Sequence, residues 1–289
     1  MAREGTVKLS DGRALGYAEY GDPNGKPILE FHGLPGSRFY DLDHDALTKS
    51  GGRLLTVERP GIGLSDPLPG RALTDWPRDV ADLADRMGFD RFAVLGTSAG
   101  APYALASGLG LPERVTGVGL MCAFGPAFEH PEFDEKLSAT MQALLPLARQ
   151  DREAVVPLVH QFLGDERTKW QTDPDAFFED FVAGWPENDR AGFRAAADRW
   201  RGTLAATHGQ EGGYATDVIL VYGPWQLDLS AMRVPLRAWH GSDDLSAPIG
   251  LVQIVVKEAQ GELVILPGQG HYIDAKFHPE MIEWLTDPD

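Results

Sequence analysis

Cysteine is almost absent: Cys122 is the only one in 289 residues. That excludes an internal disulfide framework and a multi-cysteine zinc site, and leaves a small, buried, strand-borne apolar residue as its expected role. Basic side chains are scarce as well, 26 against 43 acidic ones, for a net charge of -17. A surface of that sign repels nucleic-acid phosphate and anionic membranes, so neither is an expected partner, and a small neutral or weakly charged molecule fits better. No apolar run approaches membrane-spanning length, and no apolar stretch with a cleavage pattern follows Met1 to Gly5, so a soluble cytoplasmic protein is expected. Internal repeats and low-complexity tracts are also missing. With 43% hydrophobic residues, the chain has enough apolar material for a sizeable core.

What is present is organised around Gly96-Thr97-Ser98-Ala99-Gly100, set between the apolar runs Phe92 to Leu95 and Ala101 to Ala106. A strand that feeds a helix through Gly-x-Ser-x-Gly makes a nucleophile elbow, a turn so tight that the serine takes strained backbone and small neighbours are required. Upstream, Val7 to Leu9 and Ala14 to Tyr20 flank Asp11-Gly12 as a hairpin, and 27–31, 53–57, 91–95 and 115–123 read as buried strands. Thr74 reads as the N-cap of a helix through Met87, with Gly88 as its stop. Strands alternating with helices at this spacing imply an α/β fold, a mostly parallel central sheet with helices on both faces. From 124 to 214 no buried strand appears, only helical stripes around Met141, Val155, Phe177 and Phe193, with Pro146 and Pro157 expected to end or kink their helices. The α/β rhythm resumes with strands at 234–239 and 262–266 and helices at 248–258 and 279–285. The expected plan is a core from 1–123, a helical cap from 124–214 inserted after the sixth strand, and the rest of the core from 215–289.

A serine hydroxyl is a poor nucleophile unless a histidine takes its proton and a carboxylate orients the imidazole. In elbow enzymes these follow in the order serine, acid, histidine. Of the 8 histidines, that order leaves His271 and His278. His278 precedes Pro279 at a helix start, where it packs or caps, whereas His271 lies in a Gly-rich loop directly after a strand, at the carboxyl edge of the sheet. Asp243 and Asp244 both follow a strand, and spacing alone does not separate them, since either can cap the next helix. Two backbone N–H donors are needed for the developing oxyanion: that of Ala99 and, from His32-Gly33-Leu34-Pro35-Gly36, that of Leu34.

Taken together these loops resemble those of the α/β-hydrolases, over roughly residues 5–123 and 217–286. His32-Gly33-Leu34-Pro35-Gly36 is similar to the His-Gly-x-Pro-Gly oxyanion loop of that family, and Arg59-Pro60-Gly61-Ile62-Gly63-Leu64-Ser65-Asp66 to its Arg-Pro-Gly-x-Gly-x-Ser-Asp loop. Ser98 matches the nucleophile, and His240-Gly241-Ser242-Asp243-Asp244 with Pro248 resembles the loop that places the acid at Asp244. Gly270-His271-Tyr272 matches the terminal Gly-His-aromatic. A serine at 98 departs from the dehalogenases and epoxide hydrolases of this fold, and Ala99 departs from the tryptophan that proline iminopeptidases carry there. Glu58 stands where many relatives have aspartate and reads as a turn or surface residue, and Arg59 as an ion pair holding its loop, with reach to a substrate as the alternative.

The resemblance implies a Ser98, His271, Asp244 triad needing no metal or organic cofactor, under a cap that shapes the pocket and excludes water. Phe124 and Phe128, at the exit into the cap, and Trp225, at its return, are the residues expected near the substrate. The expected activity is hydrolysis of an ester or lactone of a small, largely apolar substrate. Amide or carbon–carbon bond hydrolysis, peracid formation and a non-hydrolytic binding role remain as alternatives, and the oligomeric state stays open between monomer and homodimer.

Overall fold

The computed structural model describes residues 3–39 and 42–288. The strands are β1 (Arg3–Lys8), β2 (Ala14–Gly21), β3 (Lys26–Phe31), β4 (Gly52–Val57), β5 (Phe92–Thr97), β6 (Val115–Met121), β7 (Leu236–Gly241) and β8 (Glu262–Leu266). The helices are α1 (His44–Lys49), α2 (Trp76–Met87), α3 (Ala101–Gly110), α4 (Ala139–Gln150), α5 (Arg152–Thr172), α6 (Pro174–Ala183), α7 (Glu187–Ala195), α8 (Ala197–Gly209), α9 (Gly213–Val221), α10 (Ile249–Glu258) and α11 (His278–Thr286). The strands form a single sheet in the order β1-β2-β4-β3-β5-β6-β7-β8. β2 pairs antiparallel with β1 and β4, and the remaining pairs are parallel.

Alternation along the strands divides the core into two layers. Leu29, Phe31, Val94 and Leu120 face Val80 and Leu83 of α2, Tyr103 and Leu105 of α3 and Val255 of α10. Ile28, Leu95 and Trp239 face Leu47 of α1 and Met281 and Leu285 of α11 on the other side. Each such side chain contributes about 1.5–3 kcal/mol by leaving water. A sheet covered on both faces has one wet rim of use to a substrate, its carboxyl edge, and all the loops singled out above leave from there.

The cap runs from the end of β6 to the start of β7, and the boundary expected at 214 falls inside α9. Asp151 ends α4 and also starts α5, its side chain accepting from the Ala154 N–H at 3.1 Å, so that this aspartate sets the break. Pro146 and Pro157 lie within α4 and α5 without ending either. The long stripe from Phe193 to Leu204 is divided at Ala196, where φ is -107° and ψ is 29°. Thr74 does not cap α2: a short 3-10 turn over Leu73–Asp75 precedes it, and the Asp75 carboxylate closes that turn on the Ala72 N–H at 2.8 Å. Gly88 stops the helix in the left-handed region, φ 73°.

Candidate active site

The elbow is built by crowding. Ser98 has φ 53°, a left-handed conformation that costs a side-chain-bearing residue on the order of 1–3 kcal/mol. A Cβ on Gly96 would stand 2.8 Å from Ala101 Cα, and one on Gly100 would stand 1.8 Å from the Phe31 carbonyl oxygen. The glycines on either side of the serine are therefore required by β3 and α3 pressing against the turn.

His271 Nε2 lies 3.0 Å from Ser98 Oγ, and His271 Nδ1 lies 2.8 Å from Asp244 Oδ2. An ionised carboxylate only accepts, so the proton sits on Nδ1 and the Nε2 lone pair meets the serine hydroxyl. Asp244 Oδ1 accepts from the N–H groups of Ser246 and Ala247 at 2.8 and 2.9 Å. Burial works to raise the Asp244 carboxyl, but His271, the Ala247 N–H and His240 hold it below its ordinary 3.8. Burial likewise opposes a charged His271, yet the Asp244 carboxylate outweighs it and lifts the imidazole above 6.5. The ambiguity between the two aspartates is thus resolved by position: Asp243 turns outward and accepts from Ser242 Oγ at 2.7 Å. Behind Asp244, His240 Nε2 lies 3.0 Å from the Ala247 carbonyl, and burial keeps that imidazole neutral. His278 Nδ1 accepts from the Asp43 N–H at 3.2 Å, a packing role.

The oxyanion loop lies directly against the nucleophile, since a Cβ on Gly33 would stand 3.2 Å from Ser98 Cβ. Its conformation is set by Arg59, which is fully buried and does not reach the cavity. Arg59 donates through Nη1 to the His32 carbonyl and through Nη2 to the Gly33 carbonyl, the latter at 3.0 Å. Burial, with Arg59 adding to it, pushes His32 down to about 3, so its neutral ring accepts the Arg59 N–H on Nε2 and turns Nδ1 to the Gly33 oxygen at 3.0 Å. In a planar peptide the N–H points opposite the C=O, so a clamp on the Gly33 oxygen turns the Leu34 N–H the other way. Arg59 is itself paired with Asp217 of α9 at 2.7 Å, and Asp217 also receives Arg71 and, at 2.8 Å, the Tyr103 hydroxyl. Burial opposes the Asp217 charge, but the two guanidinium groups hold its carboxyl well below the ordinary 3.8. Glu58 is buried, not at the surface, and holds its turn by accepting from Arg38 at 2.8 Å and from the Leu64 N–H at 2.7 Å.

Ser98 and His271 open into a cavity of about 110 Å³. Leu34, Phe39, Met121, Trp185, Phe193, Trp200 and Ile273 form its largely apolar wall, with Arg199, Thr203 and His278 among its polar groups. Phe124, Phe128 and Trp225, expected at the substrate, are not part of this wall. Phe124 packs edge-on against Tyr222 at 4.7 Å, Phe128 lies on the same core layer, and Trp225 Nε1 donates to the Val221 carbonyl at 2.8 Å. The chain leaving β6 carries them to the α9 and α10 side, whereas the roof of the cavity comes from the segment between α6 and α8. Proximity to the cap's entry and exit in sequence does not bring a side chain to this cavity, whereas Trp185 and Trp200 line it.

Cys122 stands one residue past β6 with φ 45°, buried, not within the strand. Among the described residues, donor atoms of Cys122, Asp244 and His271 lie within 4.8 Å of one another, the spacing of a metal site. Burial keeps the thiol protonated, and the other two donors are already bonded to each other, so this grouping fits a triad and not an ion.

The fold is that of a hydrolase, with Ser98 in the turn directly after β5. The chain belongs to the family described as alpha/beta hydrolase fold, whose model matches residues 26–273. A proline iminopeptidase of Xanthomonas citri is 25% identical over 313 aligned positions, covering 98% of this chain and 94% of that protein. Among solved structures, an esterase from Exiguobacterium antarcticum superposes with a TM-score of 0.69 at 18% identity, over 98% of both chains. An enol-lactonase from Burkholderia xenovorans gives 0.64 at 18% identity over 91% of both, and at such identities the likeness is one of fold alone.

Proposed function

We propose that the protein is a serine hydrolase that opens a carboxylic ester or lactone of a small, largely apolar substrate through an acyl-enzyme. The observation that carries this reading is the continuous chain from Ser98 Oγ through His271 to Asp244, with links of 3.0 and 2.8 Å. His271 Nε2 takes the hydroxyl proton as Oγ attacks the carbonyl carbon. The N–H groups of Ala99 and Leu34 receive the oxyanion, and His271 then hands the proton to the departing alkoxide. Water, deprotonated by the same imidazole, releases the acid and restores Ser98. The apolar wall of the cavity suits a hydrocarbon acyl group and keeps bulk water from competing.

A Ser98→Ala chain should lose all turnover of a short-chain 4-nitrophenyl ester and take no fluorophosphonate label; an undiminished rate would sink the assignment. An amide-cleaving reading is favoured by the full-length likeness to a proline iminopeptidase. Faster release of naphthylamine from proline naphthylamide than of nitrophenol from the ester would move the assignment there.

A further inference from the structure

We propose that Asp189, on the cap helix α7, is a positioning residue for the catalytic histidine, so that the cap supplies part of the cradle of the base. The proposal rests on the reading of His271 as general base. Asp189 is completely buried, and its Oδ1 accepts from the N–H of Tyr272, the residue after His271, at 2.9 Å. Only glycine at 270 lets it come so close, because a Cβ there would stand 2.2 Å from the same oxygen.

The neighbours of Asp189 repeat the pattern at helical spacing. Trp185 lays its indole over the His271 ring, centroids 5.2 Å apart and planes 27° apart. Asn188 Nδ2 donates to the Asp243 carbonyl at 3.4 Å, reaching the loop of the acid. Gly192 leaves room for Tyr272, whose ring a Cβ would meet at 2.3 Å, and Phe193 packs on that ring at 5.4 Å. One face of the segment from 185 to 193 is thus shaped to the histidine loop. Packing alone does not account for a carboxylate here, since burying one is costly unless it makes bonds that its neighbours need. The titratable and charged groups around His271 are Asp244 at Nδ1, His240 behind Asp244, the Cys122 thiol and Asp189 itself, with His32, Arg199 and His278 on the wall of the same cavity. Burial raises the Asp189 carboxyl above its ordinary 3.8, with Oδ2 left without a partner, against the pull of the Tyr272 N–H and His271; in its ionised form it is a second negative charge that favours the imidazolium.

The test compares Asp189→Ala and Asp189→Asn in the full chain, by ester kinetics and by NMR titration of the His271 imidazole. D189A should lose kcat by roughly 10- to 100-fold, with KM within about threefold of the parent. D189N keeps an acceptor for the Tyr272 N–H and should recover most of that loss. In both, the His271 titration should move to lower pH, which a purely structural role would not produce. An unchanged kcat in D189A overturns the proposal, as does an unmoved His271 titration in folded D189N, which decides the matter if D189A does not fold. If even the parent neither turns over esters nor takes a fluorophosphonate, the hydrolase reading fails, while the imidazole titration still decides the role of Asp189.

Discussion

In the proposed mechanism His271 acts as a base only when neutral, and its surroundings push it the other way. Because Asp244 lifts the imidazole above 6.5, kcat/KM should climb with pH through that raised value, placing the midpoint of the acid limb above pH 6.5. An Asp244→Asn chain turns an N–H toward Nδ1, disfavours the required tautomer and should lose on the order of 10⁴-fold in kcat. Its residual activity should show an acid limb at lower pH than the parent, and a pH series on both proteins checks the two statements together. The candidate site was legible in the sequence because each of its residues follows a strand end, and such positions converge on one edge of a parallel sheet. Asp243 and Asp244 show the limit of that argument. Spacing did not divide them and the family resemblance pointed to Asp244; the physical reason is the turn, which sends the two neighbouring side chains in different directions.

At the scale of elements, β3 carries the plainest anomaly. Glu30 is wholly buried in it, and burial raises its carboxyl to about 8, against the smaller opposing effects of the Thr97 side chain and the guanidinium groups of Arg59 and Arg199. A carboxyl raised in the folded state leaves stability untouched below its unfolded value of 4.5, where both states hold the proton. Stability then falls as pH rises from 4.5 toward 8, because the unfolded chain gives up its proton first, and levels off above. Glu30→Gln should therefore melt like the parent near pH 4.5 and above it near pH 8, a difference that calorimetry across the range can follow. Hydrophobic runs announced β3 and its neighbours, since strands buried on both faces read as continuous apolar stretches. The cap helices were less readable: their prolines suggested breaks, but the actual break was made by Asp151, whose cap role depends on a backbone conformation that composition does not reveal.

In the whole molecule, the cap is bound to the core by charge as well as by packing. Asp217 of α9 meets Arg59 and Arg71, which leave different loops of the core, and none of the three side chains is more than 4% exposed. Asp217→Ala leaves two buried guanidinium groups facing each other and should destabilise the fold by about 3–5 kcal/mol, measurable as a shift in the urea midpoint. The general plan of sheet, insertion and sheet followed from the rhythm of strands and helices. The lining of the cavity did not, because it depends on how α7 and α8 fold back over the elbow, and many aromatic side chains in the cap serve its own packing instead. The Asp217 cluster also carries a consequence for descent. Loss of Asp217 strands two buried guanidinium groups, whereas loss of either arginine leaves the other still paired with the carboxylate, so lineages of this chain should give up an arginine before Asp217, and the order of such exchanges would record which intermediates could still fold.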